Sequence, residues 1–345
     1  MRKNLYRIVL LVLALAVITL VAGCSKKAAT TGENTQAKPL QIVKTWSRKD
    51  CTLAPFLIAD KKGFFAKQGL QIQYVGDIDA SARIPAIISG SIDVGNIHPN
   101  GLAIAVANGA QLKGVVRSII EPPADITDIH LQHMWWVSNK NGPIKTLADI
   151  NKQPGKVKFG VQTRNSCIEY LTDKIRAKYN IPKDKIEWIT MPDLQQVQAL
   201  KQGLIDVATP HPPFYKAIED TGIGNILISS RNIDNDQNNG TYLYYFSDKF
   251  IQAHSDIVKS FVIAIKNAER WINDNKQETN ELTAQAIGVP VTANHYYAPD
   301  GRIPDKDIQE WIDGTVAAGL LKPNQVKVAD IITHQFDVFG VPQSN

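Results

Sequence analysis

The chain has 345 residues, 44% of them hydrophobic, with 38 basic and 33 acidic side chains and a formal net charge of +5. Arg2, Lys3 and Arg7 are three of the cations and residues 1–23 hold no acid, so the remainder carries only +2, which gives no reason to expect a nucleic-acid partner. About 300 residues from Leu40 onward are ordinary globular material, enough for two domains.

In chain order, the cations of the first seven residues are followed by an uncharged apolar run, Ile8 to Val21, and then by Leu20-Val21-Ala22-Gly23-Cys24. That order is the one of a secretory signal peptide, and the run is shorter than the roughly 20 residues that span a bilayer. Leu20 to Cys24 resembles a bacterial lipobox, which implies cleavage before Cys24, lipidation of Cys24 and a mature protein anchored to a membrane outside the cytoplasm. Ser25 to Pro39 is small and polar and reads as a flexible tether. No second apolar run approaches membrane length. After lipidation Cys51 and Cys167 remain, in a compartment where disulfides persist; they are bonded to each other, touch a ligand, or do neither.

Periodicity then predicts strand 41–46, helix 54–67, strand 70–75, helix 81–89, strand 92–96, helix 99–108 and strand 112–119. A second series follows: strands 133–138 and 157–161, helix 165–179, strand 186–190, helix 193–202, strand 205–208, helix 212–220 and strand 225–229. Alternation of this kind builds mostly parallel sheets flanked by helices. The polar stretch Arg231 to Gly240 reads as a loop, Tyr242 to Phe246 as an aromatic strand, and Asp256 to Asn275 as an amphipathic helix.

The two series share a repeated segment. Gly90-Ser91-Ile92-Asp93-Val94 and Gly203-Leu204-Ile205-Asp206-Val207 both read G-x-I-D-V, and each reaches a His-Pro pair, His98-Pro99 and His211-Pro212, after three further residues. Upstream of each lies a helical apolar stripe ending at a glycine. The expected organisation is 1–23 signal peptide, 24–39 tether, 40–130 first part of lobe 1, 131–240 lobe 2, and 241–345 a return to lobe 1 with C-terminal helices.

The run Ala54-Pro55-Phe56-Leu57-Ile58-Ala59, then Lys62-Gly63-Phe64-Phe65 through Gly69-Leu70, then Ile87 to Gly95, resembles the solute-binding lipoproteins of nitrate, sulfonate and taurine ABC importers. It is also similar to the related pyrimidine-precursor binders, all of the NMT1/THI5-like superfamily. The resemblance covers most of residues 40 to 230. It implies an α/β, two-lobed fold of the type II periplasmic-binding kind with a ligand cleft between the lobes. It also implies a monomeric receptor that closes on a small anionic solute and delivers it to a permease driven by an ATPase, with no cofactor. The chain departs from the pattern at His211-Pro212-Pro213-Phe214-Tyr215, where an aromatic residue commonly precedes the proline.

Strand C-termini at a topological switch point are where such sheets hold ligands. The loops to examine are therefore Trp46 to Thr52, Asp79 to Arg83, Asn96 to Asn100, Gln162 to Cys167, Met191 to Gln195 and Thr209 to Phe214. Ser81 and Ser166 stand where helices open, and helix N-termini suit anion oxygens as well as plain capping. Trp46 either stacks on a ligand or packs beneath the first helix. Arg48 and Arg164 are candidate anion partners, and Ser47, Asn96 and Phe214 complete the candidate loops. His98 and His211, at equivalent strand ends, either approach one ligand from opposite lobes or settle local turns. No short-spaced pair accompanies either, and the H-x-x-H of His130 and His133 is a weak pattern, so no metal is assigned. With Cys51 or Cys167 beside a histidine, the alternative of another class is a cysteine-dependent enzyme.

Overall fold

The structure, a computed structural model, describes residues 39–50 and 52–337. The expected signal peptide, nearly all of the tether, Cys24 and Cys51 lie outside the described residues.

The first lobe opens with β1 (Gln41–Thr45), α1 (Leu53–Lys61), α2 (Phe64–Lys67), β2 (Leu70–Tyr74), α3 (Arg83–Ile88), β3 (Val94–Ile97), α4 (Pro99–Ala107), β4 (Leu112–Arg117) and the short β5 (Ile119–Ile120). The second contains β6 (Trp135–Asn139), α5 (Asp149–Lys152), β7 (Val157–Val161), α6 (Cys167–Tyr179), β8 (Ile186–Thr190), α7 (Asp193–Gln202), β9 (Val207–Ala208), α8 (Tyr215–Thr221) and β10 (Gly224–Ser229). Then come β11 (Leu243–Ser247), α9 (Asp248–Ala253), α10 (Ser255–Asp274), α11 (Lys276–Ile287), β12 (Tyr296–Tyr297), α12 (Asp305–Ala317) and α13 (Val328–Ile331). The helix expected over 54–67 is two helices, because Gly63 takes a left-handed φ of 71° and redirects the chain between them.

The second sheet runs β10-β6-β9-β7-β8, with β7 parallel to β8 and β9 and only β6 reversed. In the first lobe β1 pairs in parallel with β2, while β11 lies antiparallel between β3 and β4. What joins β1 to β3 is the repeated aspartate. Asp93 N–H donates to the Lys44 carbonyl at 2.8 Å, and its carboxylate accepts the Lys44 N–H at 2.8 Å. Asp206 makes the same two bonds with Lys158, both at 2.8 Å. The motif glycines Gly90 and Gly203 end the preceding helices with φ of 75° and 71°. Gly95 answers to a different constraint: a Cβ there would stand 2.6 Å from the Tyr245 ring.

Each sheet buries both faces. Val43, Phe56, Ile72 and Phe261 belong to one core of the first lobe and Ile87, Leu102, Tyr245 and Ile308 to the other. In the second lobe Phe159, Ile168 and Leu171 face one side, and Val197, Leu200 and Tyr215 the other. The stripe Ile257, Phe261, Ala264, Ile265, Ala268 and Ile272 recurs at helical spacing, so α10 buries one face against α1 and α2. Burial of each large apolar side chain there contributes about 1.5–3 kcal/mol.

The polar stretch 231–240, expected as a loop, is about half buried and forms two short 3-10 turns. Its polar groups find partners: Asn239 donates to the Ser230 carbonyl at 3.0 Å, and Asn238 donates to the Asp307 carbonyl at 2.9 Å. Gly240 lies so close to the Ile120–Glu121 backbone that a Cβ would come within 2.7 Å of it.

Candidate functional site

His98 and His211 emerge from the ends of β3 and β9 and enter one cluster. His98 N-caps α4, and its Nδ1 lies 2.7 Å from the Thr241 carbonyl. A carbonyl only accepts, so Nδ1 carries the proton and Nε2 is left to face the cluster. His211 is held by Asp193, whose Oδ2 lies 3.1 Å from Nδ1 and also accepts the His211 main-chain N–H at 3.3 Å. Its Nε2 lies 3.7 Å from the Sγ of Cys167, a free and buried thiol at the start of α6.

Between them sits His133, with ring centroids 4.9 Å from His98, 5.1 Å from His211 and 5.1 Å from His295. Both ring nitrogens of His133 and of His295 are buried without a hydrogen-bond partner. Each such group costs about 1–3 kcal/mol if nothing satisfies it. Trp311 lies over His98 at 5.5 Å and stacks on Tyr170 at 3.9 Å, while Tyr242 meets His98 edge-on at 4.2 Å. The His133 main-chain N–H donates to both oxygens of Glu121 at 3.3 Å.

Burial and neighbouring charge divide these groups. Burial pushes His133 and His295 well below the usual imidazole range, so both are neutral. Burial alone would lower His211 too, but the Asp193 carboxylate and Cys167 outweigh it and raise it to about 10. Burial alone would raise the Cys167 thiol, yet His98 and His211 together bring it down to about 6. Burial raises Glu121 to about 7.

The remaining candidates fall in other places. Trp46 is fully buried in the first-lobe core that holds Ile87 and Leu102, with the Arg48 guanidinium 4.1 Å and the Arg83 guanidinium 4.4 Å from its ring. Arg48 donates to Thr45 Oγ1 at 3.0 Å, to the Trp46 carbonyl at 3.1 Å and to Asn96 Oδ1 at 3.4 Å. Burial lowers it to about 10, so it stays charged at neutral pH. Ser47 N–H donates to the Gly76 carbonyl at 2.8 Å. Trp46, Arg48 and Asn96 thus pack together in the first lobe, linked through the Arg48 guanidinium. Ser81 is exposed in a short 3-10 turn, makes no capping bond, and borders a surface depression with Ile84 and Ile104. Phe214 is buried behind the cis Pro212–Pro213 peptide, its N–H donating to the His211 carbonyl at 2.9 Å.

Ser166 stands at the N-cap of α6 with Oγ buried and unpartnered, and Asn100, in the first turn of α4, leaves its Oδ1 in the same condition. Asn100 Nδ2 donates to the Asn165 carbonyl at 3.2 Å, from one lobe to the other. These residues line a cavity of about 160 Å³ together with Arg164, which is exposed and bonded to Glu169 at 2.7 Å.

His98, Cys167 and His211, separated widely in sequence, therefore meet, and Arg164 and Ser166 line a cavity whose wall also includes Asn100. Sequence reasoning missed Asp193, His295 and Trp311. It noticed His133 only as half of an H-x-x-H whose other half, His130, lies outside the cluster and bonds Asp128 and Glu219 at 3.0 and 2.7 Å. Aspartate at the first turn of α7 is an ordinary helix-start residue, and His295 stands in no pattern, so neither carried a signal.

Solved structures share the fold. A zinc-bound ligand-binding component of an ABC-type import system from Staphylococcus aureus is 16% identical, with a TM-score of 0.69 over 87% of this chain and 99% of that one. The nitrate-binding protein of Synechocystis PCC 6803 is 14% identical, with a TM-score of 0.71 over 86% and 87%. The alkanesulfonate-binding protein of Xanthomonas axonopodis pv. citri, bound to MOPS, is 19% identical, with a TM-score of 0.66 over 85% and 97%. No curated protein matches in sequence. The profile of the NMT1-like family matches residues 49–288, well over half of the sequence, and the chain belongs to that family.

Proposed function

We propose that the protein is an extracytoplasmic solute-binding receptor of an ABC importer, which takes a small anionic solute between its lobes and hands it to the permease. The observation that carries this reading is the meeting of two helix starts, α4 from the first lobe and α6 from the second, at a cavity where Asn100 Oδ1 and Ser166 Oγ are buried and unpaired. Helix N-termini present free N–H groups and a partial positive charge, which suit sulfonate, nitrate or carboxylate oxygens, and a ligand held by both lobes would favour the closed state. The ABC import components with the same fold support the role.

Calorimetric titration with nitrate, taurine and alkanesulfonates tests it: one of these binds, and Ser166→Ala weakens it about tenfold. Failure of every small anion, together with a neutral heteroaromatic compound retained in native mass spectrometry, would replace the anion with a pyrimidine-type ligand.

Among the described residues no helix is long and apolar enough to cross a membrane. On the same reading the anchor is the lipid on Cys24. A Cys24→Ala protein that is still processed normally and still sediments with membranes would refute the anchor.

A second reading draws on one observation, the chain of contacts Cys167–His211–Asp193, with 3.7 Å and 3.1 Å between successive groups. A thiolate, an imidazole and an orienting carboxylate in that order is the arrangement of a cysteine nucleophile. Return of the bound solute unchanged after prolonged incubation rejects the enzyme; turnover abolished by alkylation of Cys167 supports it.

A further inference from the structure

Five side chains from five separate segments converge where the lobes meet: His98 after β3, His133 before β6, Cys167 at the start of α6, His211 after β9 and His295 before β12. One candidate donor atom from each of His98, His133 and Cys167 lies within 4.8 Å of the others. Dense buried polar clusters ordinarily satisfy themselves. Here both ring nitrogens of His133 and of His295 lack any partner in the protein, although each ring is almost wholly buried. We infer that this cluster binds one transition-metal ion of the zinc class, ligated by His98, His133, Cys167 and His211.

The outer contacts are those that metal-binding imidazoles use. His98 gives its Nδ1 proton to the Thr241 carbonyl and His211 faces the Asp193 carboxylate through Nδ1, so in both the Nε2 is the ligating atom. The His211 Nε2 lies 3.7 Å from the Cys167 Sγ, which places a nitrogen and a sulfur donor side by side. Three imidazoles and one thiolate form a four-coordinate set typical of zinc, whereas calcium and magnesium require oxygen ligands that the cluster does not offer. Trp311 and Tyr242 wall it with aromatic surface. His295 stands 5.1 Å from His133 and is left outside the proposed ligand set. The inference goes beyond the receptor reading and does not need it: zinc binding and anion capture are measured separately, and either can fail alone.

The test uses the mature full chain, stripped with EDTA and titrated with ZnCl₂, and with CoCl₂ as a spectroscopic probe. The expected result is one equivalent of zinc retained through desalting, and a cobalt complex with tetrahedral visible bands and a thiolate-to-cobalt charge-transfer band. That band persists in Cys51→Ser and disappears in Cys167→Ser. His133→Ala weakens zinc binding about 10- to 100-fold, and His130→Ala leaves it unchanged. Should His133→Ala fail to fold, the cobalt spectrum of the unmutated protein decides the matter. No retained zinc, a cobalt spectrum without the thiolate band, loss of the band in Cys51→Ser, or loss of zinc binding in His130→Ala would each overturn the site.

Discussion

The two G-x-I-D-V segments are alike as far as their strands and different beyond them. Asp93 and Asp206 tie their strands to Lys44 and Lys158 through the same pair of bonds, and Gly90 and Gly203 end the preceding helices in the same left-handed conformation. Past the strands, His98 rests on a main-chain carbonyl, that of Thr241, and opens α4, whereas His211 rests on a side-chain carboxylate, that of Asp193, and precedes a cis Pro212–Pro213 turn. The backbone framework is therefore common to both lobes, and the chemistry at its ends is particular to each. Strand pairing constrains the first, because a main-chain N–H must be satisfied wherever the pairing runs short. Nothing comparable constrains the residues that follow.

The difference is broken most forcefully by Asp193→Ala. It strips the buried His211 ring and main-chain N–H of their acceptor, and the expected cost is about 3 kcal/mol in urea unfolding, since a buried charged partner is left alone. No side-chain substitution does the same to His98, whose partner belongs to the backbone. A cost below about 1 kcal/mol would show that His211 is held no more specifically than its counterpart.

The likeness is tested by Asp93→Ala and Asp206→Ala. Each removes the acceptor of one lysine main-chain N–H, so each is expected to cost about 1–2 kcal/mol, the two agreeing within about 0.5 kcal/mol. If one variant melts like the parent while the other is destabilised, the framework is not shared.

The smallest effect concerns surface charge near the crossover, which plays no part in the comparison. Burial tends to lower His130, but its bonds to Glu219 and Asp128 prevail and raise it. A histidine raised in the folded state stabilises below its unfolded pKa of about 6.5, and that contribution is lost as pH rises through the folded value. Between about pH 6 and pH 8 the parent should lose a few tenths of a kcal/mol that His130→Gln does not lose, the size expected of a partly exposed pair. An equal loss in both proteins would assign that pH dependence to another group.

Much of the fold is legible in the residues because it depends on local patterns. Strand-helix alternation, the glycine stops after α3 and α7, and the apolar stripe of α10 all arise within a few turns of chain, and the repeated aspartates mark equivalent strands. Within the candidate site, the pairing of His98 with His211 was readable for the same reason, since equivalent strands end at equivalent places.

The rest belongs to distance in space. His133 and His295 enter the cluster from the crossover and from the segment before β12, and Asp193 comes from the start of a helix that would look the same with no histidine to hold. Trp46 and Arg48, at the end of β1, bury themselves together with Phe56 and Asn96. Short-range sequence order thus determined the two-lobed framework, through hydrophobic period, turn chemistry and the need to pair every main-chain amide. Only the tertiary structure decided which polar groups share one buried volume, because four imidazoles and a thiol gathered from five segments share no common spacing along the chain, and the repeat marks only two of them.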